Sequence, residues 1–286
     1  MILGKELIDL LTLEKKKDNH FIGKNYKTAW GRVFGGQVLG QSLHAAYQTV
    51  PEERIAHSMH GYFILGGDIN IPIDYHVDTI RDGRSFTTRR VVAFQNGKAI
   101  FNMAASFHIK EEGVSHQISM PNVLTPDLLL TDIQQAEGLQ QLDPELFQRL
   151  MKAHPQIFEF KPVDKAIYLQ TQNSPPLAHI WFRIKDKVAD NLPLQHQILA
   201  FASDYSLLLS ATLPHREKLM NAKMYYASLD HALWFHRDFR IDDWLLYAIE
   251  SPSASSARGF SRGSIFSKQG EMVASVTQEG LMRKYK

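Results

Sequence analysis

A helix-length stretch at positions 199–213 is apolar on nearly every side and contains one charged residue, Asp204. At the period of a helix, Phe201 and Leu208 flank this acid on its own face, three residues before it and four residues after it. The pattern predicts a buried helix over 199–213. Because a buried carboxylate is costly unless it is hydrogen-bonded or used in a perturbed state, Asp204 is a candidate for either a structural or a functional role.

Apolar and polar residues alternate from position 54 to about 110, which predicts antiparallel strands. Turn residues interrupt the alternation, and the Asn96-Gly97 pair is typical of a tight β-hairpin. Two helices are predicted before these strands. A short amphipathic helix covers 5–14, and a longer one begins at Gly35-Gly36 and runs toward Pro51.

The second half of the chain repeats this order. Gln197-Ile-Leu-Ala200 resembles Gln37-Val-Leu-Gly40, and a series of strands follows each of these helical segments. The strands predicted in the second half cover 226–235, 244–251, 260–266 and 272–280. A repeat that contains one helix and one sheet is too large for a solenoid unit, so it indicates a duplicated domain.

The segment between the two halves, positions 116–170, lacks a clear period. It contains one predicted helix, which begins at Asp143-Pro144 because Asp is a favoured cap and Pro a favoured first residue. We therefore predict an N-terminal domain over 1–115, a connector over 116–170 and a C-terminal domain over 171–286.

The composition is that of an ordinary globular protein. The chain has 286 residues, of which 44% are hydrophobic and 22% charged, with a net charge of +2 and no cysteine. The small net charge argues against a nucleic-acid partner, and the lack of cysteine removes disulfides and thiolate sites. No apolar run reaches membrane-spanning length and the N-terminal segment is not a secretory signal, so we expect a cytoplasmic protein without membrane association.

Three motifs resemble the type II acyl-CoA thioesterases, and the resemblance extends over the whole chain. They are VFGGQVLGQ at 33–41, SPSASSARG at 251–259 and ASVTQEG at 274–280. The resemblance implies an α+β fold, the tandem hotdog, in which each half is a long helix wrapped by an antiparallel sheet. It also implies hydrolysis of fatty acyl-CoA without a cofactor, by a homo-oligomer that is a dimer or a tetramer.

The same resemblance implies three catalytic residues: Asp204 on the second helix, Ser228 at a strand start and Gln278 on the last strand. Bacterial members of the family more often have threonine at the serine position, and the hydroxyl is retained here. A thioester has a good leaving group, so the demanding step is deprotonation of water. Asp204 is the expected general base, while Ser228 and Gln278 hold the water and polarise the carbonyl. Direct attack by Asp204, which forms an anhydride, is an open alternative.

Four further positions are candidates for substrate binding. Gly35 and Gly36 permit close backbone approach at a helix N-terminus, where free N–H groups favour an acyl oxygen or a phosphate. Arg258 and Arg262 lie near the last predicted hairpin and are either partners of the CoA phosphates or solvated charges of the sheet edge. Each buried methylene contributes about 0.8 kcal/mol, so an apolar tunnel favours medium and long acyl chains.

Histidine could support other chemistry. The pairs His57 with His60 and His231 with His236 do not share a strand face, so we expect no metal site. His57 is a candidate second base because imidazole titrates near neutrality. Two other functions are considered, a hotdog enoyl-CoA hydratase and a non-catalytic acyl-CoA-binding protein. The hydratase would need an Asp–His pair, and the first helix offers only His44 without an acid beside it.

Overall fold

The computed structural model describes residues 4–219 and 222–285, and within them thirteen strands form one sheet. The strands are β1 (Glu14–Lys17), β2 (His20–Gly23), β3 (Ile55–Phe63), β4 (Ile73–Asp82), β5 (Phe86–Gln95), β6 (Lys98–His108), β7 (Phe158–Pro162), β8 (Leu177–Ile184), β9 (Met224–Ser228), β10 (Asp230–Phe235), β11 (Leu245–Ser255), β12 (Arg258–Ser267) and β13 (Met272–Lys284). The α-helices are α1 (Gly4–Leu11), α2 (Gly35–Tyr47), α3 (Asp132–Leu142), α4 (Pro144–Ala153), α5 (Leu192–Ser203) and α6 (Arg216–Leu219). Short 3₁₀ segments cover Pro126–Leu128, Ile167–Leu169 and Leu208–His215.

The two halves of the chain contribute equivalent parts of the sheet. Its order is β1-β2-β4-β5-β6-β3-β10-β13-β12-β11-β8-β7, and β9 pairs with the end of β13. At the centre, β3 and β10 run antiparallel with Met59 opposite Leu233, so hydrogen bonds join the halves into one sheet. Each half places one long helix against its strands, which is the α+β tandem hotdog arrangement that the motifs imply.

The long helices α2 and α5 pack against each other in opposite directions. A Cβ atom at Gly36 would lie 2.2 Å from the carbonyl oxygen of Phe201, and one at Gly40 would lie 2.9 Å from that of Gln197. Glycine is therefore required for this close approach. As a result, the N-terminal end of α2 lies beside the C-terminal end of α5. Within 4–219 and 222–285, no helix is long and apolar enough to cross a membrane.

The main core lies between these two helices and the inner face of the sheet. Leu39 and Leu43 of α2 and Leu199 of α5 are fully buried. Along β5 and β6 buried positions alternate with more exposed ones, because successive side chains of a strand point to opposite faces. The alternation of apolar and polar residues that predicts these strands therefore reflects the burial of their inner face.

The predicted helix over 199–213 is wrong in its bounds. Helix α5 begins before this range and ends at Ser203, so Asp204 caps the helix instead of lying within it. Ser206 has a φ of 66°, and the segment Leu208–His215 that follows is 3₁₀ rather than α. A residue at positive φ cannot continue a right-handed helix, so the apolar run is divided there.

The predicted strand over 226–235 is two strands. Leu229 separates β9 from β10, because its N–H donates to the carbonyl of Glu279 and its carbonyl accepts from the N–H of Phe63. Strand β10 can then join the halves while β9 follows the last part of β13. The N-terminal helix is also shorter than predicted, since α1 ends at Leu11.

Several local predictions are confirmed. The Asn96-Gly97 turn joins β5 to β6, and the hairpin of β12 and β13 lies at the predicted place. Helix α2 begins at Gly35 as expected. Helix α4 begins at Pro144, and the Asp143 side chain accepts the N–H of Leu146 as its cap.

Positions 116–170 contain α3, α4 and β7. Strand β7 pairs with β8, with Phe160 opposite Phe182, so this segment supplies an edge strand to the sheet of the second half. Helices α3 and α4 pack with the segment Ile167–Leu169 around a small separate cluster that includes Ala136. The division of the chain into domains 1–115 and 171–286 stays a prediction.

Candidate active site

A cavity of about 740 Å³ lies where the N-terminal end of α2 meets the C-terminal end of α5. Phe34 and Phe63 line it from the first half of the chain, and Asp204 and Gln278 line it from the second. The position follows from the antiparallel packing of the helices, because that packing brings one end of each helix to the same place. Neither half alone encloses the cavity.

The two ends of the cavity differ in exposure. At one end Trp30, Ile64 and Leu65 are 47%, 47% and 52% exposed, so this end opens to solvent. At the other end the lining is buried and mostly apolar. It includes Phe160, Ala166, Ile167 and Ile180. We call this cavity the tunnel, its exposed lining around Trp30 the mouth, and its buried apolar lining around Ile167 the closed end.

Asp204 lies in the wall of this tunnel, half-buried, with its carboxylate held from both halves of the chain. Its Oδ2 accepts the backbone N–H of Gly36 at 2.9 Å, from the first turn of α2. Its Oδ1 accepts the side-chain amide of Gln278 at 2.7 Å. The Ser228 hydroxyl lies 3.5 Å from the same Oδ1 atom. The structure thus brings the three predicted catalytic residues together.

Gln278 and Ser228 contact the carboxylate directly. The Gln278 Nε2 group also donates to the Ser228 Oγ at 2.8 Å, so both of its hydrogens are engaged. Gln278 points inward from β13 and is 1% exposed, and Ser228 ends β9 opposite Gly280. The sequence predicts that both side chains hold the water, whereas in the structure both contact the Asp204 carboxylate.

Burial raises the pKa of Asp204 above its ordinary value, and the hydrogen bonds from Gln278, Gly36 and Ser228 oppose that shift because they favour the ionised form. A carboxylate has about four lone-pair positions on its two oxygens. Oδ1 faces two donors, whereas Oδ2 accepts only the Gly36 N–H among the described residues. Oδ2 can therefore accept a further hydrogen bond, and Asp204 lines the tunnel.

Gly35 and Gly36 lie at the site, where their backbone approaches the carboxylate. A Cβ at Gly35 would be 2.7 Å from Asp204 Oδ2, so a larger residue would displace the acid. The free N–H groups at a helix N-terminus stabilise negative charge, and here they meet the carboxylate of Asp204. The anion that this helix N-terminus binds in the structure is thus the carboxylate of Asp204.

Arg258 and Arg262 lie outside the tunnel, and neither is among the described residues that line it. Both are on the outer face of β12, because their neighbour Ser261 pairs with Gln278 on the inner face. Arg258 donates to Glu279 at 2.8 Å and Arg262 to Glu250 at 2.6 Å. Their charges are already paired on the surface.

The sequence patterns missed two parts of the site. The closed end of the tunnel is built by residues around Ile167, which the sequence places in an irregular segment. At the mouth, Arg32 lines the tunnel and lies 4.8 Å from the centre of the Tyr225 ring. Arg32 directly precedes the motif at 33–41, and this position is the sequence feature that indicates a place at the site.

His57, His60 and His231 are not among the described residues that line the tunnel. His57 is 2.8 Å from the Ser106 hydroxyl and is not among the described residues that line the tunnel, which leaves the second base without support. His231 is buried and 2.9 Å from the Ser203 hydroxyl, and burial lowers its pKa to about 3. His60 packs against Trp234. The irregular register between Ala56 and Ser58 places His57 and His60 on the same outer face of β3, so the expectation that this pair does not share a face is wrong.

One group of possible metal ligands lies on the outer face of β2 and β4. His20 is opposite His76 across the strands, and Asp74 is beside both, with the potential ligand atoms within 4.8 Å of one another. The His20 Nε2 atom is 3.0 Å from Asp74 Oδ1. None of these residues lines the tunnel, so the chemistry at Asp204 does not involve them.

Two family models match the chain. A model described as acyl-CoA thioesterase matches residues 153–281, and one described as acyl-CoA thioesterase N-terminal domain matches residues 26–108. The two matches correspond to the two halves of the sheet. The first matched range includes Asp204, Ser228 and Gln278.

Relatives match over nearly the whole length. Acyl-CoA thioesterase 2 of Haemophilus influenzae is 38% identical over 278 residues, which are 97% of this chain and 96% of that protein. Human acyl-coenzyme A thioesterase 8 is 36% identical, over 96% of this chain and 88% of its own. The crystal structure of acyl-CoA thioesterase II TesB2 from Mycobacterium marinum is similar with a TM-score of 0.81 and 37% identity, covering 98% of this chain and 99% of that one. At this identity and coverage, the chain belongs to the type II acyl-CoA thioesterase family and is a tandem hotdog thioester hydrolase.

Proposed function

We propose that this thioesterase hydrolyses medium- to long-chain fatty acyl-CoA to free fatty acid and CoA with a water molecule that Asp204 deprotonates. The observation that carries the proposal is the Asp204 carboxylate in the tunnel wall, held by three donors and with an Oδ2 atom that can accept a further hydrogen bond. A base must reach the proton it removes, and a carboxylate that lines the tunnel is placed to do so. Its raised pKa makes it a stronger base than an ordinary aspartate.

In the proposed reaction, a water proton passes to Asp204 Oδ2 while the water oxygen forms a bond to the thioester carbon. The tetrahedral intermediate then loses the C–S bond, and the proton on Asp204 passes to the departing CoA thiolate. Gln278, Ser228 and the Gly36 N–H keep the carboxylate in one orientation through both transfers. Every step uses side chains and backbone of the chain itself.

The shape of the tunnel supports the proposed substrate class. The acyl chain would extend from Asp204 toward the closed end, where Phe160, Ile167 and Ile180 are buried. Each methylene buried there contributes about 0.8 kcal/mol, so dodecanoyl-CoA should be hydrolysed more efficiently than acetyl-CoA. The CoA part would leave through the mouth beside Trp30 and Arg32.

The proposal includes a homo-oligomeric, cytoplasmic enzyme that contacts neither nucleic acid nor a membrane. Exposed apolar side chains on the surface, among them Tyr62 at 63% and Ile80 at 56%, support association of chains. Size-exclusion chromatography at micromolar concentration should give at least twice the monomer mass. Elution as a monomer would contradict this part of the proposal without affecting the catalytic part.

Asp204→Asn tests the mechanism. The amide keeps the shape of the side chain but cannot accept the proton, so turnover of palmitoyl-CoA per folded molecule should fall roughly 10²- to 10⁴-fold. Binding of acyl-CoA, measured by calorimetry, should change little. Asp242→Asn is the matched control, because Asp242 is a buried aspartate paired with Arg240 and away from the tunnel. It should lose stability and retain turnover per folded molecule.

The same assay separates the other functions. A hydratase would convert enoyl-CoA without releasing thiol, and a binding protein would retain acyl-CoA without converting it. Near wild-type turnover in Asp204→Asn would overturn the role of Asp204. Direct attack by Asp204 forms an anhydride, and water that then opens the anhydride at the aspartyl carbonyl leaves ¹⁸O in the aspartate after a single turnover in ¹⁸O-water. The proposed reaction puts the label in the fatty acid only, so ¹⁸O in Asp204 would identify the anhydride route.

A further inference from the structure

Two histidines and one aspartate lie together on the outer face of the sheet, near its edge in the first half of the chain. Strand β2 pairs antiparallel with β4, and His20 is directly opposite His76. Asp74 is two residues before His76 on β4, so it points to the same face. We call His20, Asp74 and His76 the β2–β4 cluster.

The alternation of the two strands sets the direction of these side chains. Phe21 and Tyr75, the neighbours of the cluster residues in the sequence, are 2% and 0% exposed and belong to the main core. The cluster side chains must then point away from the core. His76 is exposed there, while His20 and Asp74 are half-buried, so an ion from solvent can reach all three.

The donor atoms of the cluster are close enough to share one cation. His20 Nε2 lies 3.0 Å from Asp74 Oδ1, and donor atoms from all three residues lie within 4.8 Å of one another. At a tetrahedral ion with bonds of about 2.0–2.1 Å, two ligand atoms are about 3.3 Å apart. The His20–Asp74 pair already has nearly this separation. The exposed His76 side chain can rotate toward that pair to complete the group.

The donor types select the class of ion. Imidazole nitrogens combined with a carboxylate oxygen are typical ligands of Zn²⁺, whereas Mg²⁺ and Ca²⁺ prefer oxygen ligands throughout. Asp78, the next residue on this face of β4, is paired with Arg90 at 2.6 Å, so it is not a fourth ligand. Three protein ligands leave one tetrahedral position for water. Within 4–219 and 222–285, no other histidine and carboxylate side chains form a group of three this close.

We propose that the β2–β4 cluster binds a divalent transition-metal ion, Zn²⁺ in particular, with His20, Asp74 and His76 as the protein ligands. A metal at this place would join β2 to β4. Strand β2 has four residues, and its other neighbour, β1, is exposed at every position, so a metal bridge would stabilise this edge of the sheet. The inference does not depend on the proposed reaction, because none of the three ligands lines the tunnel.

Calorimetric titration with ZnCl₂ tests the site on the full-length enzyme, prepared without a histidine tag and freed of metal with a chelator. We expect saturable binding of Zn²⁺ to the wild type. His20→Ala, Asp74→Asn and His76→Ala should each weaken that binding at least about 10-fold, because loss of a residue that merely supports a metal ligand already costs about 10- to 100-fold. Since a ligand of the folded state stabilises it, Zn²⁺ should raise the melting temperature of the wild type but not of these variants, and Mg²⁺ should not replace it.

His108→Ala is the matched control. His108 is another accessible histidine on a strand, with its Nε2 atom 2.7 Å from Glu111, and the described residues offer this pair no third ligand. Its affinity for Zn²⁺ should equal that of the wild type. Co²⁺, which accepts the same donors, gives a second measurement, because its visible absorption bands should appear with the wild type and with His108→Ala but not with His76→Ala.

The absence of saturable Zn²⁺ binding to the wild type would overturn the inference, and so would equal affinity in all three cluster variants and the wild type. An equal loss of affinity in His108→Ala would also overturn it, because binding would then depend on surface histidines in general. Melting curves recorded without metal establish that each variant is folded before the affinities are compared.

Discussion

Replacement of Gly35 by alanine should damage catalysis while leaving the fold almost intact. Gly35 is the first residue of α2, and a Cβ there would lie 2.7 Å from Asp204 Oδ2 and 3.0 Å from the edge of the Phe63 ring. Both contacts are to ends of side chains, which can move. The carboxylate must therefore retreat by several tenths of an ångström from the position in which Gly36 and Gln278 hold it.

The size of the effect follows from the contacts that are lost. A hydrogen bond to a charged group contributes about 1.5–3 kcal/mol, and a displacement of about 1 Å at a reacting group can cost roughly 10²-fold in rate. We expect kcat for palmitoyl-CoA to fall about 10- to 100-fold in Gly35→Ala. Alanine has a higher helix propensity than glycine by about 1 kcal/mol, which offsets the strain at the helix start.

Gly40→Ala is the control within the same helix. Its Cβ would lie 2.7 Å from Leu11 and 2.9 Å from the carbonyl oxygen of Gln197, a backbone atom that cannot retreat alone. Overpacking of this kind costs about 1–3 kcal/mol, so Gly40→Ala should melt at a lower temperature and keep its turnover per folded molecule. Thermal unfolding and palmitoyl-CoA turnover, measured on both variants, give the comparison. The reasoning is refuted if Gly35→Ala keeps the wild-type kcat, or if both variants lose stability and turnover in the same proportion.

Three further predictions concern the pH dependence of the rate, the pH dependence of stability and the chain length of the substrate. The proposed reaction needs Asp204 in its ionised form, and burial raises the pKa of this residue. The rate should therefore rise with pH through that raised pKa, as an acid limb in kcat/KM above the ordinary value of 3.8. Because the pKa of Asp204 is raised, the folded state binds its proton more tightly than the unfolded state, and the ionised group lowers stability above the unfolded pKa. Asp204→Asn should therefore have a melting temperature at or above that of the wild type at pH 7. The difference should vanish near pH 3. Ala166→Leu should shorten the closed end of the tunnel. The acyl-chain length with the highest kcat/KM should then decrease by about two or three methylenes, which is the space that the added atoms occupy. An unchanged chain-length profile would show that the acyl chain lies elsewhere.

The sequence predicts the turns and helix starts that neighbouring residues determine. The Asn96-Gly97 turn specifies its hairpin because few residue pairs adopt that turn, and Asp143-Pro144 specifies a helix start for a similar local reason. Asp204 is recognisable as an isolated acid in an apolar stretch. These features depend on residues a few positions apart, which a single chain displays directly.

What the sequence does not display is the set of contacts between distant segments. The N–H of Gly36 reaches Asp204 across 168 positions, and the Gln278 amide reaches it across 74. The apolar pattern continues unchanged through the end of α5, so nothing in it indicates that Asp204 is a cap. For Arg258 and Arg262, proximity to the last hairpin suggested a role, but strand alternation places both on the face away from the tunnel.

The packing of α2 against α5 creates two helix junctions, and among the described residues their chemistry differs. At one end of the helix pair, the start of α2 meets the carboxylate of Asp204. At the other end, the start of α5 meets neutral side chains: the Tyr47 hydroxyl is 2.9 Å from His196, and burial lowers the pKa of His196 to about 3. His44 is occupied there by the Gln197 amide, 3.2 Å away, so it cannot form the Asp–His pair that a hydratase needs. The two helix junctions therefore differ: the one at the start of α2 holds the Asp204 carboxylate that the proposed reaction requires, and the one at the start of α5 holds Tyr47 and His196.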